Sequence, residues 1–331
     1  MSFVSINCPI CNNSNFKIFK EVFDDRYGEP NKYNLAKCSN CSHISTYPRL
    51  QIKELGPLYS KYYPRKDINY KDVLAKVKLR KNIFSKFLTW FQGVNNLGQL
   101  YAKKDEHVLD IGCGDCSSLI YLRKLGAIPY GIEADKNVKS IAKSLDLPVH
   151  FGSIEDKPFS KVFFDLVVMN QVLEHMPSPA KTLNLIKERL TEKGRIIIVI
   201  PNSESFWQKI TGSKWINWHI PYHLHHFNHR NIEKMLNKYH FKIVKSQTIT
   251  PNIWTILQLR NIFHKSKIGE INNLWKTKEI KNVQKEFIPY KRKYFRFFIK
   301  LILFSFVGIF NRIIDALRMG DSLMIEVQIR N

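Results

Sequence analysis

Short apolar runs alternate with amphipathic stretches through the middle of the chain. The apolar runs predict β-strands at 107–111, 128–132, 147–151, 163–169, 194–200 and 241–249. The stretches between them predict helices near 116–125, 136–145, 178–190 and 229–239. Strands that alternate with helices indicate a mainly parallel sheet covered on both faces. Residues 195–200 are apolar enough after Arg195 to form a strand that is buried on both sides.

The first of these strands runs into a turn that contains two glycines. Gly112 and Gly114 follow Asp110, and Glu133 ends the next strand, 23 residues after Asp110. Glycine lets the backbone approach a ligand closely, and an acid at a strand end suits ribose hydroxyls. The third glycine of a dinucleotide fingerprint is missing, because Ser117 occupies its position. The turn therefore favours a nucleoside cofactor without a pyrophosphate.

Together with the segments Phe151–Glu155, Phe164–Gln171 and Leu173–Pro177, this turn resembles the class I S-adenosylmethionine-dependent methyltransferases. The resemblance covers roughly residues 105–250. It implies an α/β, Rossmann-like fold with a mainly parallel seven-stranded sheet and helices on both faces. It also implies that a final strand at 322–329 inserts antiparallel beside its neighbours.

The resemblance assigns cofactor contacts residue by residue. Asp110 and the two glycines would line the methionine end, and Glu133 would hold the ribose. Ser153 and Ile154 would contact the adenine, and Asn170 would lie on the sulfonium side. The full set expected to bind S-adenosylmethionine is Asp110, Gly112, Gly114, Glu133, Ala134, Ser153, Ile154, Asn170 and Gln171.

Two C-x-x-C pairs precede this region, Cys8 with Cys11 and Cys38 with Cys41. Four thiolates at such spacing can close tetrahedrally on one Zn²⁺, with short strands between the pairs forming a zinc ribbon. Disulfides are the alternative, but the chain shows no secretory signal, and a reducing cytosol disfavours them. We expect Cys113 and Cys116, in the glycine turn, to be small packing residues.

These features divide the chain into three regions. We expect a zinc ribbon over 1–50, a helical and aromatic bridge over 51–104, and a catalytic domain over 105–331. The tyrosine-rich segment 58–64 in the bridge has two possible roles, covering a substrate pocket or packing between domains.

Five of the eleven histidines fall between residues 219 and 229, after the fifth predicted strand. That position is the expected substrate side of an open α/β sheet, and His can accept a proton near neutral pH. His175, after the fourth strand, would approach the same space. We expect His229 to begin a helix and His219 and His225 to be surface residues. Clustered histidines can also bind a second metal ion.

The histidine stretch resembles that of zinc-ribbon methyltransferases acting on nucleotide-linked sugars and other small molecules, often in surface-polysaccharide pathways. In the sugar C-methyltransferases of that group, a Tyr-x-Glu-His pattern carries the proton chemistry. When Phe227-Asn228 is aligned with the group's Phe-Ser, the histidine of that pattern falls on His223. Tyr222 then stands in place of the pattern's Glu, and Ile220 stands in place of its Tyr. Loss of the carboxylate favours O-methylation. The candidate catalytic residues are His223, His175, His226 and Tyr222.

The chain carries a formal net charge of +24, which suits nucleic acid, an anionic membrane or phosphorylated substrates. A Lys-rich and Asn-rich composition imposed by an A+T-rich genome explains it equally well. An insertion at about 250–320 is strongly basic and contains the apolar run 301–310. Ten residues cannot span a bilayer, so residues 295–318 would either lie in the membrane interface or pack on the domain or in an oligomer.

The primary functional hypothesis is methylation of a hydroxyl of a sugar, nucleotide-linked or lipid-linked, or of a similar small molecule, by a cytoplasmic enzyme. One alternative is a ribosomal or transfer RNA methyltransferase. The absence of an Asp/Asn-Pro-Pro-Tyr motif after Met169 argues against exocyclic base amines but leaves ring nitrogens open. The other is O-methylation of a quinone or lipid at the inner face of the membrane, because Leu173–Pro177 also resembles quinone-ring O-methyltransferases.

Overall fold

The computed structural model describes residues 3–50, 52–63, 70–77, 79, 82–275 and 293–330. Its strands are β1 (Phe3–Ser5), β2 (Asn15–Phe23), β3 (Lys32–Cys38), β4 (Ile44–Tyr47), β5 (His107–Ile111), β6 (Ile128–Glu133), β7 (Val149–Phe151), β8 (Phe164–Asn170), β9 (Leu190–Pro201), β10 (His225–His226), β11 (Phe241–Ile249) and β12 (Ser322–Ile329). Its α-helices are α1 (Ile52–Tyr62), α2 (Tyr70–Lys76), α3 (Ile83–Phe91), α4 (Ser117–Leu125), α5 (Lys139–Ser144), α6 (Pro179–Lys187), α7 (Phe206–Thr211), α8 (His229–Lys238), α9 (Asn252–Phe263) and α10 (Lys293–Ala316).

Seven strands form the central sheet, in the order β11-β12-β9-β8-β5-β6-β7. Strands β5 to β9 pair in parallel. Strand β12 lies antiparallel between β9 and β11. The predicted Rossmann-like α/β sheet, including the antiparallel insertion of the last strand, is confirmed.

Strand β9 shows why the sheet is covered on both faces. Successive side chains of a strand point to opposite faces. Ile196, Ile198 and Ile200 pack into one core cluster, and Ile197 and Val199 pack into the other. All five are at most 1% exposed, so the prediction of a strand buried on both sides is confirmed.

The boundary before β9 differs from the predicted one. The helix expected to reach residue 190 ends at Lys187, and β9 begins at Leu190 rather than 194. Leu190 pairs with Phe164, and the amide of Phe164 donates a hydrogen bond of 2.8 Å to the carbonyl of Arg189. The next pair is Leu166 with Arg195, so the additional residues between Leu190 and Arg195 form an irregularity in β9, which the hydrophobic pattern did not reveal.

The N-terminal strands form a second sheet, and the catalytic domain contributes a strand to it. Its order is β1-β2-β3-β4-β10, and His225 and His226 pair antiparallel with Ser45 and Ile44. The two regions also share one hydrophobic cluster, which contains Phe16 of β2. The sequence did not predict this pairing, because a two-residue strand has no periodicity.

Helices α9 and α10 occupy the insertion before β12 and pack on each other, and α10 also packs on β11. Residues 276–292 of this insertion lie outside the described residues, as do the side chains of 293–303. Within the part of the chain that the structure describes, no helix is both long enough and apolar enough to cross a bilayer.

Candidate active site

The four N-terminal cysteines converge at one point. Cys8 Sγ lies 3.5 Å from Cys41 Sγ, and Cys11 Sγ lies 3.6 Å from Cys38 Sγ. Both pairs use the same turn, in which the amide four residues after the first cysteine donates to its carbonyl: Asn12 to Cys8 at 2.9 Å and Ser42 to Cys38 at 3.0 Å. Asn12 and Ser42 both adopt φ of 60°. Two equivalent knuckles therefore face each other.

The sulfur positions fit a tetrahedral metal ion. Zn–S bonds of about 2.3 Å require sulfurs about 3.8 Å apart, and all four Sγ atoms lie within 4.8 Å of one another. Thiolates are the form of cysteine that binds zinc. All the cysteines are free thiols, so the disulfide alternative has no support in the structure.

The glycine turn lies at the carboxyl edge of the sheet, where the cofactor residues were expected. Gly112 and Gly114 adopt φ of +74° and +57°, a region that favours glycine. Glu133, at the end of β6, accepts hydrogen bonds from the amides of Gly114 at 2.7 Å and Asp135 at 2.9 Å. The structure therefore brings the predicted ribose ligand directly to the turn. Cys113 and Cys116 are buried in the core, as predicted.

Two observations at this turn fit a bound nucleoside cofactor. A Cβ added to Gly114 would meet nothing within 4 Å, so the backbone there faces open space. Asp110 is 2% exposed; its Oδ2 accepts from Ser118, while Oδ1 has no partner among the described residues. Burial raises the pKa of Asp110 to about 7. A cationic amino group is a suitable partner for that oxygen, and the methionine end of the cofactor carries one.

The other predicted cofactor residues lie at the same edge. Ser153 caps the short helical turn Ile154–Asp156, and Ile154 is buried beneath it. Ala134 is exposed directly after β6. Gln171 adopts φ of 55° beyond β8.

The Asn170 side chain is already engaged. Its Oδ1 accepts from the Gly98 amide at 2.8 Å, and its Nδ2 donates to Gln99 Oε1 at 2.9 Å. It fixes the helical turn Gly98–Tyr101 against the cofactor edge, a contact that sequence patterning did not reveal. The predicted role of Asn170 on the sulfonium side stays a prediction.

The histidine stretch is buried rather than exposed. His219 is 7% exposed and His225 only 1%, so the expectation that both are surface residues is wrong. His225 Nδ1 lies 3.2 Å from Nε2 of His43, a histidine of the N-terminal region. The N-terminal sheet covers this stretch, which explains the burial. His229 begins α8, as predicted.

His223 lies at the centre of a polar cluster. Its Nδ1 donates to the carbonyl of Asn217 at 2.9 Å, which leaves Nε2 as the basic nitrogen. Nε2 lies 3.3 Å from His219 Nδ1 and 3.9 Å from Glu174 Oε1. The His175 ring stands perpendicular to the His223 ring, with centroids 4.6 Å apart. Two of the predicted catalytic histidines are therefore adjacent.

Glu174 is the important residue that the sequence analysis missed. It is fully buried, and neither carboxylate oxygen has a hydrogen-bond partner among the described residues. Burial raises its pKa to about 8, and burial also lowers the pKa of His223 well below its usual value. Glu174 lies in the segment Leu173–Pro177, whereas the alignment with the Tyr-x-Glu-His pattern placed the carboxylate at position 222, which is a tyrosine in this chain. Glu174, His175 and His223 offer ligand atoms within 4.8 Å of one another, so the second-metal alternative stays open.

His226 is buried between the histidine stretch and the N-terminal sheet. It is 2% exposed, burial lowers its pKa to about 3, and its Nε2 lies 3.1 Å from Thr46 Oγ1 of β4. It holds the N-terminal sheet to the histidine stretch. A direct part in proton transfer stays a prediction.

Four tyrosines pack against one another beside His175 and His219; we name them the tyrosine cluster, Tyr27, Tyr59, Tyr63 and Tyr222. Their neighbouring ring centroids lie 5.1–5.6 Å apart. They come from three segments: the β2–β3 connection, the end of α1 and the histidine stretch. Tyr59 hydroxyl lies 2.9 Å from His175 Nδ1, and the Tyr222 hydroxyl is buried with no partner among the described residues.

The N-terminal region builds part of this cluster. Asp24 accepts hydrogen bonds from the backbone amides of Arg26, Tyr27 and Glu29, which fixes the connection that carries Tyr27. Arg26 donates to the carbonyl of Ile216. Tyr27 could not be predicted from the sequence, because the β2–β3 connection is far from every recognised motif.

Comparisons with known proteins identify the domain that carries these residues. A family model described as a methyltransferase domain matches residues 83–246. An uncharacterized protein of Methanocaldococcus jannaschii is 30% identical over 216 residues, covering 62% of this chain and 83% of that protein. The ubiquinone biosynthesis O-methyltransferase of Coxiella burnetii is 25% identical over 121 residues, covering 34% of this chain and 52% of that enzyme. The chain thus matches only about half the length of that enzyme.

Solved structures show the same fold. The [4+2]-cyclase SpnF aligns with a TM-score of 0.50 at 12% identity, covering 85% of this chain and 97% of that one. From the matched domain and the cofactor edge, we conclude that the chain belongs to the methyltransferase-domain family and is an S-adenosylmethionine-dependent methyltransferase.

Proposed function

We propose that the enzyme methylates a hydroxyl oxygen of a small ring-shaped acceptor, a sugar carried on a nucleotide or lipid. The observation that carries the proposal is the buried Glu174–His223 pair beneath the tyrosine cluster, at the carboxyl edge of the parallel strands. A hydroxyl nucleophile must lose one proton as its bond to carbon forms, and a positioned base accepts it.

The cofactor, when bound, supplies an activated methyl group on a sulfonium. Asp110 Oδ1 would accept a hydrogen bond from its amino group, and Glu133 would accept hydrogen bonds from the ribose hydroxyls. Each carboxylate oxygen has two lone pairs, so Glu133 can hold the ribose and still accept from the Gly114 amide. These contacts would fix the direction of the methyl group, which is the main protein contribution in a displacement.

His223 is the proposed base. Its Nδ1–H is held by the Asn217 carbonyl, so Nε2 carries the lone pair, which faces His219 Nδ1 at 3.3 Å until an acceptor hydroxyl takes that place. When an acceptor hydroxyl takes the methyl group and the cofactor leaves as its thioether, Nε2 of His223 would accept the hydroxyl proton. Ionised Glu174, 3.9 Å away, then stabilises the imidazolium by forming an ion pair. His175, held by the Tyr222 carbonyl at 2.8 Å, would orient the acceptor from the other side.

The tyrosine cluster supports a ring-shaped acceptor. Sugar rings and flat phenolic rings both pack against aromatic faces, and tyrosine hydroxyls bond the polar edge of the ring. The buried hydroxyl of Tyr222 is available for such a bond. A phenolic quinone precursor is the second candidate, supported by the local similarity to the ubiquinone biosynthesis O-methyltransferase of Coxiella burnetii.

We also propose that Cys8, Cys11, Cys38 and Cys41 hold a structural Zn²⁺, on the sulfur geometry described above. All four tetrahedral positions would be filled by sulfur. A closed site of this kind stabilises a fold and leaves no position for substrate.

The test is a mass-spectrometric screen with methyl-deuterated S-adenosylmethionine against nucleotide sugars, lipid-linked glycans, quinol precursors and RNA. We expect label in a sugar hydroxyl. His223→Ala should lower turnover by about 10²–10⁴-fold. His229→Ala, outside the cluster at the start of α8, is the matched control and should keep wild-type turnover. Label in RNA alone, or full turnover by His223→Ala, would contradict the proposal.

A further inference from the structure

An exposed apolar surface covers two helices on one side of the catalytic domain. We name it the α3–α10 face; its side chains are between 36% and 85% exposed. Its residues are Ile83, Phe84, Phe87, Leu88 and Trp90 of α3, Phe306, Ile309, Phe310 and Ile313 of α10, and Leu317 just beyond it. Soluble proteins rarely leave so many large apolar side chains exposed together, and such surfaces mark sites of interaction with a partner or a membrane.

The C-terminal half of α10 reverses the usual amphipathic pattern. From Phe306 to Leu317 every exposed side chain is apolar. The polar side chains point inward instead: Asn311 is fully buried and accepts from Thr255 at 2.8 Å, and Arg312 pairs with Asp315 at 2.8 Å. A helix that faces water normally places its polar residues outward. This helix satisfies its polar groups within the protein and presents hydrocarbon outside.

Helices α3 and α10 form one supported surface. The rings of Phe91 and Phe304 lie 6.0 Å apart, and Gly308 lets the Phe91 ring pack directly on the α10 backbone. The Arg312 guanidinium lies 5.8 Å from the centre of the Trp90 ring. Arg312 also donates to the Thr250 carbonyl at 2.7 Å, which ties both helices to the domain.

The surroundings of the face are basic. Lys86 lies exposed on α3, and Arg318 is exposed just after α10. Residues 293–318 contain five basic residues and one acid, Asp315, which Arg312 already neutralises. A second copy of the chain would bring Lys86 and Arg318 close to their own copies, because a two-fold interface pairs each patch with itself. An anionic surface complements them.

We infer that the α3–α10 face docks on an anionic lipid bilayer, with α3 and α10 lying in the membrane interface. Apolar side chains would enter the acyl boundary, and Lys86 and Arg318 would contact lipid phosphates. Trp90, at 47% exposure, has the amphipathic ring that is typical of the headgroup level. The inference concerns a separate surface and is independent of the proposed acceptor.

Flotation of the full chain with vesicles tests the inference. We expect the enzyme to float with phosphatidylcholine vesicles that contain phosphatidylglycerol, and to be released by salt or by omission of the anionic lipid. Phe306→Glu/Ile313→Glu should reduce the bound fraction by about tenfold or more. Lys86→Glu/Arg318→Glu should reduce binding to anionic vesicles by a similar factor.

Phe163→Glu/Val244→Glu is the matched control, because these two side chains are 56% and 51% exposed and belong to neither α3 nor α10. It should float like the wild type. Circular dichroism and S-adenosylhomocysteine binding would establish that each variant is folded. The inference is overturned if the wild type does not float, or if the control variant loses as much vesicle binding as Phe306→Glu/Ile313→Glu. It is also overturned if the wild type is a dimer that Phe306→Glu/Ile313→Glu converts to a monomer.

Discussion

The carboxylate of Glu174 lies 3.9 Å from Nε2 of His223, and both side chains are almost completely buried. Burial raises the pKa of Glu174 to about 8 and lowers the pKa of His223. Near neutral pH both groups are therefore mainly uncharged. If His223 accepts a proton while Glu174 is neutral, a lone cation is buried, which is costly. If Glu174 is ionised, the same proton creates a compensated ion pair.

This relationship predicts that turnover rises with pH. Below the Glu174 pKa of about 8, the ionised fraction increases about tenfold per pH unit, and it levels off above that value. We expect kcat to follow the ionised fraction and reach a plateau above pH 8. Steady-state rates from pH 6 to pH 9.5, with saturating cofactor and acceptor, measure this.

Glu174→Gln removes the charge at nearly constant volume and should flatten that profile, with a plateau rate about tenfold to a hundredfold below the wild type. Glu155→Gln, at an exposed ion pair with Lys181, is the control and should keep the rise. A Glu174→Gln profile that still rises through pH 8 would show that another group controls the rate.

The buried hydroxyl of Tyr222 allows a second prediction. It has no hydrogen-bond partner among the described residues, so its removal leaves no group unsatisfied. We expect Tyr222→Phe to be at least as stable as the wild type to thermal unfolding. If the hydroxyl contacts the acceptor, kcat/KM should fall about threefold to tenfold, mainly through KM. Loss of stability with unchanged KM would instead indicate a packing role.

The third prediction is that Glu133 contributes to the affinity for the cofactor. Glu133 accepts from the Gly114 and Asp135 amides and is the expected ribose ligand. Glu133→Ala should weaken S-adenosylhomocysteine binding about tenfold to a hundredfold, because hydrogen bonds to a carboxylate are strong. Titration calorimetry measures the change, and Glu192→Ala, at an exposed position of β9, serves as the control. Binding within a factor of two of the wild type would exclude Glu133 from the cofactor site.

The sequence predicted the catalytic sheet well because strands such as β9 are buried on both faces and leave a continuous apolar run. The glycine turn and the acid at the end of β6 could be predicted in the same way, since Gly112, Gly114 and Glu133 end or follow such strands. These are local signals, because each strand carries its own pattern and each of these residues lies next to its strand.

The substrate side could not be read in the same way. Tyr27, Tyr59 and Tyr222 meet only after distant segments fold together, and their rings have no common spacing in the chain. The burial of His219 and His225 likewise depends on contacts with the N-terminal region. A run of histidines looks like a polar surface segment in the sequence. Its burial depends on pairing with β4, which hydrophobic periodicity does not predict.

That partner strand leads to a last prediction, which links the cysteine cluster to turnover. Cys38 and Cys41 precede β4, whose Thr46 donates to the His223 carbonyl at 2.6 Å from Oγ1 and to the Leu224 carbonyl at 3.1 Å from its amide. Metal removal should loosen β4 and thereby displace His223, while β5, β6 and the cofactor edge remain folded. A structural zinc ion stabilises the fold that binds it. We therefore expect the N-terminal sheet of the metal-free protein to unfold at a lower temperature than that of the zinc-bound protein.

We therefore expect release of one zinc per chain, measured with a chromogenic indicator, to lower acceptor turnover strongly and to leave S-adenosylhomocysteine affinity nearly unchanged. Thr46→Val is the matched variant, since it keeps the metal and the side-chain shape but removes the Oγ1 contact. It should lower kcat without releasing zinc. Cys38→Ser should release zinc and reproduce the effect of the chelator. If the metal-free enzyme keeps wild-type turnover, β4 does not position His223.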